Sequence, residues 1–339
     1  MMMWSVACLV VLIFAFFATW GLRRYALASK LMDVPNARSS HVTPTPRGGG
    51  VSIVLAFLAS LAWMLSSDLI SISWGVALLV SGFGVAMLGF LDDHGHIAAR
   101  WRLLGHFSAA IFILALTGGF PSLEVFGLTL ELGWLGHILA VFFLVWMLNL
   151  YNFMDGIDGI ASVEAIGTCV GAALLYWLTG HGQFAGMPLM LAFAVGGFLI
   201  WNFPPARIFM GDAGSGFLGL IIAALAIQGS WVEPSLFWGW LILLGVFIVD
   251  ASFTLIRRMA RGERVYEAHR SHAYQFASRR YGQHLPVTLG VVLINTFWLL
   301  PLAVAVALHW IDGFGGVLIA YAPLLVLAVF YKAGSPETV

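Results

Sequence analysis

Long apolar stretches alternate with short polar segments along the chain. A helix that spans a membrane needs about 20 mostly apolar residues, and the pattern predicts about eleven such helices. The expected spans are residues 3–20, 51–66, 71–91, 103–118, 135–151, 160–179, 186–203, 215–230, 236–256, 286–308 and 314–331. The pattern therefore predicts an all-α, polytopic membrane protein in which residues 1–339 form a single integral-membrane domain.

The basic residues are confined to alternate connections between these spans. All 16 lysine and arginine residues lie in the first, third, seventh and ninth connections or in the C-terminal tail. Because basic residues near span ends mark the cytoplasmic side of a membrane, we expect the N-terminus outside and these connections inside. No basic residue precedes the first apolar stretch, which favours a retained helix over a cleaved signal peptide.

Composition narrows the possible classes of protein. The chain is 61% hydrophobic and only 9% charged, whereas soluble domains carry about 25% charged residues, so an ordinary soluble enzyme is excluded. The formal net charge is zero, and nucleic-acid binding has no support without a basic surface. Cys8 and Cys169 lie within apolar stretches, where we expect them to pack without forming a disulfide.

Acidic residues cluster in the inward connections. Asp92 and Asp93 end the third span, and adjacent carboxylates repel each other unless a cation offsets them. Mg²⁺ favours one or two carboxylates together with phosphate oxygens. The pair is therefore either part of a magnesium-phosphate site or a charged helix end in water. Further along, four amide and carboxylate residues recur at every third position, which aligns them on a helix: Asn149, Asn152, Asp155 and Asp158.

Two other inward segments carry candidate binding groups. Asp212 precedes a run of small residues, and a helix that starts there would direct backbone N–H groups toward an anion. Phe209 could stack on a base or anchor the membrane interface. His269, Arg270 and His272 could bind a diphosphate, while a plain positive-inside loop or a patch for anionic lipid explains most of the arginines in 257–284.

Weaker candidates flank these segments. Gly48, Gly49 and Gly50 form either a backbone nest for phosphate or a plain turn. His94 and His96 are either ligands or solvated loop residues.

The main alternative to an enzyme is a secondary transporter. Glu164 and Asp250 lie within apolar spans, and intramembrane acids are functional candidates by default, although a structural pair with a nearby arginine is our expectation for Asp250. A transporter usually keeps its polar groups near the middle of the membrane and shows internal repeats. Here the polar groups gather at the inner ends of the spans and no repeat is evident, which favours an enzyme.

Four motifs give these connections a recognisable pattern. They are LDD at 91–93, NLYNFMDGIDG at 149–159, FPPARIFMGDAGS at 203–215 and HRSH at 269–272. In this order they resemble the polyprenyl-phosphate N-acetylhexosamine-1-phosphate transferases, whose superfamily includes phospho-MurNAc-pentapeptide translocase. The segments PTPRGGG and AHRSHAYQ are most similar to the branch of the family that starts O-antigen or capsule repeat units. This similarity implies a role in the synthesis of lipopolysaccharide or related surface polymers.

The resemblance implies a reaction and its partners. Sugar-1-phosphate would pass from a UDP-N-acetylhexosamine to polyprenyl phosphate, giving polyprenyl-diphosphate-sugar and UMP. The family uses Mg²⁺, which Mn²⁺ can replace, and works at the cytoplasmic face of the inner membrane; relatives suggest a homodimer. The acceptor phosphate has a second pKa of about 6, so a general base would contribute little to its deprotonation.

The resemblance also implies roles for individual residues. Asp212 matches the magnesium ligand and Asn152 a polar residue beside the metal, while Asp92 and Asp93 match the pair that binds or activates the lipid phosphate. The remaining positions match substrate-binding groups: Asp155 and Phe209 for the uridine, with Asp158, Arg100, His269, Arg270 and His272 around them. Arg100 stands where many members have lysine, and HRSH replaces a run of adjacent histidines.

Overall fold

The computed structural model describes residues 2–35, 43–95, 97–263 and 269–336. Its helices are α1 (Met2–Ala28), α2 (Val51–Ser66), α3 (Ile72–His94), α4 (Ala99–Thr117), α5 (Gly133–Met154), α6 (Ile160–Leu178), α7 (Gly186–Asn202), α8 (Asp212–Val232), α9 (Pro234–Leu243), α10 (Gly245–Ala260), α11 (Ala273–Tyr281), α12 (Leu285–Ile294), α13 (Leu300–Ala307) and α14 (Gly313–Phe330). A 3-10 turn, Gly182–Ala185, precedes α7, and a π-helical turn, Asn295–Leu299, joins α12 to α13. Two short antiparallel hairpins pair β1 (Met32–Asp33) with β2 (Thr45–Pro46) and β3 (Leu123–Val125) with β4 (Leu128–Leu130).

The helices account for all of the expected spans. Within the described residues, nine helical segments are long and apolar enough to cross a membrane, and the bent pair α9 and α10 makes a tenth. The remaining expected span is α2, a shorter apolar helix of 16 residues. The prediction of an all-α, polytopic membrane protein is therefore confirmed.

The span expected at 236–256 is broken in the structure. Its halves, α9 and α10, meet at an angle of 70°. At the break, a side chain on Gly245 would come within 3.1 Å of Leu324 and Tyr321 on α14, so this glycine lets α14 approach closely.

Both intramembrane acids hold helices together. Oε2 of Glu164 on α6 accepts a hydrogen bond of 2.6 Å from Asn295 Nδ2, at the start of the π-helical turn. Asp250 on α10 accepts the backbone N–H groups of Ala273 and Tyr274, at 2.8 and 3.0 Å, and so caps the start of α11. The expected pairing of Asp250 with an arginine is not found among the described residues, where its ionisable neighbour is His272, at 3.4 Å.

Helix α8 forms the centre of the bundle. Its residues from 213 to 230 are all buried, and it packs between α3 and α5. A side chain on Gly219 would collide with the backbone of Met147 and Leu148 on α5. Small residues permit such close approach between membrane helices. The start of α8 is thereby fixed against the ends of its neighbours.

Candidate active site

Close backbone packing brings the chain at Gly50 and at Gly89 to the start of α8. A side chain on Gly50, just before α2, would lie 2.5 Å from Cα of Gly214. A side chain on Gly89 of α3 would lie equally close to the backbone of Ala213. The glycines therefore allow α2, α3 and α8 to meet where the motif residues lie.

The segment before α2 also runs along the loop that precedes α8. The N–H of Phe209 donates to Pro46 O at 2.8 Å, and the N–H groups of Gly49 and Gly50 donate to the carbonyls of Phe209 and Met210, at 2.9 and 2.8 Å. Two of the three glycine amides are therefore used within the fold. The hypothesis of a phosphate nest at these glycines is wrong.

Asp93 occupies the N-terminus of α8. Its Oδ1 lies 3.2 Å from the backbone nitrogen of Asp212 and 2.5 Å from Arg47 Nη2, and its Oδ2 lies 3.5 Å from the nitrogen of Ala213. Its side chain is only 1% exposed. An acid is stabilised at a helix N-terminus by the helix dipole. The helix start expected to receive a ligand anion thus already holds the carboxylate of Asp93.

Asp92 has a different environment from its neighbour. Its Oδ1 accepts the N–H of Ile97 at 2.8 Å, and its Oδ2 pairs with Nη1 of Arg102. The same guanidinium nitrogen lies 3.7 Å from Oδ2 of Asp212. The two carboxylates therefore share one arginine, although they come from helices 120 residues apart in sequence.

The predicted pair Asn152 and Asp212 is brought into contact. Asn152 Nδ2 donates to Oδ1 of Asp212 at 2.9 Å and to Oγ of Ser215 at 3.0 Å. Asn149, one turn earlier on α5, donates to the carbonyl of Val145. The amide of Asn152 therefore orients Asp212, and Ser215 joins the set of polar groups.

These polar groups line one end of a cavity of about 200 Å³. Its polar lining includes Asp92, Arg102, Asn152 and Asp212. Its apolar lining includes Val85, Leu88, Leu103 and Leu148, from α3, α4 and α5. The cavity combines a charged end with a hydrocarbon wall.

Arg100, the expected substrate-binding arginine, is not at this cavity. It is exposed, and its guanidinium carbon lies 5.7 Å from the ring centre of Trp101. Arg102, two positions later on α4, takes the place beside the acids. Residues two apart on a helix do not share a face, so the choice between these arginines depends on the rotation of α4.

Asp155 and Asp158 have separate surroundings. Asp155 follows α5, is half-buried, and has no hydrogen-bond partner among the described residues. Burial raises the pKa of Asp155 well above its usual range, and the charges of Asp212, Asp93 and Asp158 raise it further.

Asp158 instead holds the loop together. One oxygen lies 3.0 Å from His284 Nδ1, and the other accepts the N–H of Ala206 at 2.9 Å. These contacts join the loop after α5 to the loop before α8. Substrate binding by Asp158 remains a prediction, but its contacts favour a structural role.

The two motif histidines stack on each other beside α5. Their ring centres are 4.9 Å apart, and both rings lie within 6.5 Å of Phe153. His269 Nδ1 also contacts Oγ of Ser271 at 2.9 Å. Burial lowers the pKa of His269 to about 3, with a further contribution from His272. His269 is therefore neutral near pH 7 and can exchange hydrogen bonds, but does not supply positive charge.

The other predicted residues lie around this centre. Phe209 is half-buried, and the carbonyl of Arg270 accepts a hydrogen bond of 3.2 Å from Arg279. His94 is exposed, packs on Phe90 with ring centres 4.2 Å apart, and contacts the Phe90 carbonyl. His94 thus behaves as a solvated loop residue, and His96 lies outside the described residues.

Sequence reasoning missed two arginines of the site. Arg47 pairs with Asp93, and Arg102 pairs with Asp92. Each stands next to a feature that the sequence displays: Arg47 precedes the three glycines, and Arg102 follows Asp92 by ten positions. Neither position identifies the acid that each arginine contacts.

Comparison with known proteins places this chain in a class of transferases. Residues 75–230, which run from α3 to α8, match the family model of glycosyl transferase family 4. The probable undecaprenyl-phosphate N-acetylglucosaminyl 1-phosphate transferase of Bacillus subtilis is 32% identical over 273 residues, covering 79% of this chain and 75% of the relative. The chain belongs to glycosyl transferase family 4, the family of polyprenyl-phosphate hexosamine-1-phosphate transferases.

Two further relatives show the breadth of the similarity. The decaprenyl-phosphate N-acetylglucosaminephosphotransferase of Mycobacterium tuberculosis is 29% identical over 313 residues, covering 83% of this chain and 77% of the relative. The phospho-N-acetylmuramoyl-pentapeptide-transferase of Halalkalibacterium halodurans is 31% identical over 265 residues, covering 73% and 79%.

Proposed function

We propose that the protein transfers N-acetylhexosamine-1-phosphate from a UDP-N-acetylhexosamine to polyprenyl phosphate and releases UMP. The observation that carries this proposal is the arrangement of Asp92, Arg102 and Asp212 at the charged end of an apolar-walled cavity. Such a cavity suits a phosphate on a hydrocarbon chain. The names of the relatives, which act on undecaprenyl or decaprenyl phosphate, support the same substrate class.

The residues present fit a magnesium ion. Asp92 and Asp212 share a single guanidinium, so the site has an excess of negative charge. No cluster of three side chains that could hold a metal occurs among the described residues, but Mg²⁺ usually takes only one or two carboxylates together with substrate phosphates. Asp212 would hold the ion, with Asn152 beside it; Mn²⁺ is the expected substitute. The bound ion would neutralise the diphosphate.

The chain's own residues position the acceptor. Arg102 would hold the acceptor phosphate, and its pairing with Asp92 fixes the direction of the guanidinium. Because that phosphate is largely ionised at neutral pH, with a second pKa of about 6, Asp92 contributes through geometry rather than by removing a proton. The polyprenyl tail would leave along the wall formed by Leu88 and Leu103.

The transfer itself is a displacement at phosphorus. An oxygen of the acceptor phosphate forms a bond to the sugar-bearing phosphorus, and the bond from that phosphorus to the bridging oxygen breaks. UMP leaves with the bridging oxygen. Such reactions need positioning and charge neutralisation more than covalent help. A carboxyl oxygen of Asp155, which has no hydrogen-bond partner among the described residues, would accept the uracil N–H. Phe209 would lie against the base, and neutral His269 would be a hydrogen-bond partner of the diphosphate.

The experiment is a transfer assay with purified protein. With Mg²⁺, polyprenyl phosphate and UDP-N-acetylglucosamine as the first donor, we expect release of UMP, and we expect Asp212→Asn to abolish it in folded protein. If no donor from a broad panel of UDP-sugars releases UMP, the enzyme proposal is lost. The transporter alternative gains no support, because Glu164 and Asp250 both serve as helix anchors.

The proposed location is the plasma membrane, with the site facing the cytoplasm. Gln183 and Gln283 are exposed and lie in connections that we expect on opposite sides of the membrane. Both native cysteines are buried. Single cysteines at the two glutamine positions should be labelled from opposite sides of the membrane. Labelling of both from one side would refute the alternation.

We further propose that the lipid-linked product starts a cell-surface polysaccharide of the O-antigen or capsule type. Removal of the gene should then deplete that polymer while growth continues. Loss of peptidoglycan synthesis would instead indicate a cell-wall role.

A further inference from the structure

A second cavity lies away from the proposed active site. It measures about 360 Å³ and is enclosed by α10, α11, α12 and α14. Most of its wall is apolar, including Val249, Val291, Leu324 and Leu327. One water molecule in the liquid occupies about 30 Å³, so the space is large enough for part of a hydrocarbon chain. None of the residues that line it takes part in the proposed transfer.

Helix α12 presents bare backbone to this cavity. Gly290 lies on the cavity wall, and a side chain built there would meet no atom within 4 Å. By contrast, a side chain on Gly219 in the packed core would collide with α5. Gly290 is therefore unpacked on the side where its side chain would lie, as is Gly84 of α3.

Tyr281 and Tyr331 line one part of the cavity, which we call its mouth, and each has a basic neighbour in the chain. The hydroxyls of Tyr281 and Tyr331 are 3.1 Å apart. The guanidinium carbon of Arg280 lies 5.2 Å from the ring centre of Phe330, and Lys332 is exposed beside Tyr331. Among the described residues, neither Arg280 nor Lys332 forms an ion pair with a carboxylate. The mouth is therefore positively charged.

The one acid named on the cavity wall is held in hydrogen bonds within the fold. Asp250 accepts the N–H groups of Ala273 and Tyr274 and the hydroxyl of Thr254, and lies near His272. Its carboxylate is thus committed to the start of α11.

From these features we infer that the cavity binds an acyl chain of an anionic phospholipid, whose phosphate contacts Arg280 and Lys332. Basic pockets between membrane helices recognise anionic headgroups in this way. The site adjoins the histidine motif, because the N–H of Gly334, just after Lys332, donates to the carbonyl of Ser271 at 2.6 Å. A lipid held here would also contact Ala273 and Ala277 of α11, and would so stabilise the segment that carries His269 and His272.

Two pairs of variants test the chain and headgroup contacts separately. Gly290→Leu fills the cavity, with Gly84→Leu as its control, since Gly84 is also free of neighbours within 4 Å but lies on α3. Arg280→Gln with Lys332→Gln removes the basic mouth. Its control is Arg24→Gln, which removes an exposed cation that packs on Trp20 of α1.

The measurement is lipid retention by the delipidated full-length protein, read by native mass spectrometry after addition of phosphatidylglycerol or phosphatidylcholine. We expect phosphatidylglycerol to bind the unaltered protein preferentially. Each test variant should weaken that binding on the order of tenfold, whereas both controls should leave it unchanged. Phosphatidylglycerol should also raise the melting temperature of the unaltered protein, because a ligand that binds only the folded state stabilises it.

Three results would overturn the inference. The unaltered protein could retain phosphatidylglycerol and phosphatidylcholine equally, or the control variants could lose as much phosphatidylglycerol binding as the test variants. The test variants could also lose binding of added polyprenyl phosphate while they keep phosphatidylglycerol binding. The last result would make the cavity a substrate site. None of these readouts uses the transfer reaction, so they stand whether or not the proposed activity is found.

Discussion

The carboxylate of Asp93 lies against the first backbone N–H of α8, with Oδ1 3.2 Å from the nitrogen of Asp212. One acid of the pair thus fixes the position of the helix that carries another acid of the site. Its neighbour Asp92 faces the cavity beside Arg102. The two adjacent aspartates therefore differ in role, and single substitutions should separate them.

Asp93→Asn should destabilise the protein. The change removes the ion-pair partner of Arg47 and replaces the carboxylate that accepts the N–H of Asp212. Loss of a partner to buried polar groups costs about 2 kcal/mol, and we expect a loss of that size in the free energy of unfolding. Thermal unfolding in detergent measures it. Asp92→Asn is the matched comparison: it should lose UMP release and destabilise the protein less, because Asp92 does not contact the start of α8. Equal destabilisation by the two variants would contradict the division of roles.

Arg102→Gln should abolish most of the transfer, whereas Arg100→Gln should not. Arg102 contacts both Asp92 and Asp212, while Arg100 packs on Trp101 at the surface. Loss of a group that stabilises charge at the reacting centre typically costs 10²–10³ in turnover, and we expect a loss of about that size for Arg102→Gln. Initial rates of UMP release provide the measurement. A larger loss of UMP release for Arg100→Gln than for Arg102→Gln would contradict the placement of Arg102 at the site.

Asp155→Asn should stabilise the protein more at pH 8 than at pH 5. The folded state raises the pKa of Asp155 through burial and nearby negative charge, so the folded protein binds a proton more tightly than the unfolded chain. The carboxyl group therefore lowers stability increasingly as the pH rises above its ordinary pKa of about 3.9. Asparagine removes that penalty.

Melting temperatures in metal-free buffer at the two pH values test this prediction. Glu263→Gln is the control, because Arg258 and Arg261 lower the pKa of Glu263 and its contribution is constant above its ordinary pKa. If Asp155→Asn stabilised the protein less at pH 8 than at pH 5, the predicted direction of the pH dependence would be wrong.

Gly50→Ala should destabilise the junction of α2 and α8. The added methyl group would lie 2.5 Å from the Cα of Gly214, and overpacking of this kind costs about 1–3 kcal/mol. Gly84→Ala, where the added group meets nothing within 4 Å, should be neutral or slightly stabilising because alanine favours helix. Unfolding of both variants in the same detergent makes the comparison, and a tolerated Gly50→Ala would argue against close packing at the site.

The sequence predicts the helical architecture well, because each span is recorded locally as a long apolar run. It also predicts that Asp92, Asn152 and Asp212 lie close together, because polar groups at the span ends expected on one side of a membrane are confined to the same surface. The phosphate nest at Gly48 to Gly50 fails for a different reason. Glycine runs look alike whether their amides meet a ligand or, as here, the backbone of Phe209 and Met210.

By itself, then, the chain determines its spans, its expected orientation and the set of acids that form the site, because hydropathy and charge act over a few neighbouring residues. Only the tertiary structure decides which member of Asp92 and Asp93 faces the cavity, and whether Arg100 or Arg102 meets them. Those choices depend on how each helix is rotated about its axis. That rotation is set by contacts such as Gly50 with Gly214, between residues more than 150 positions apart.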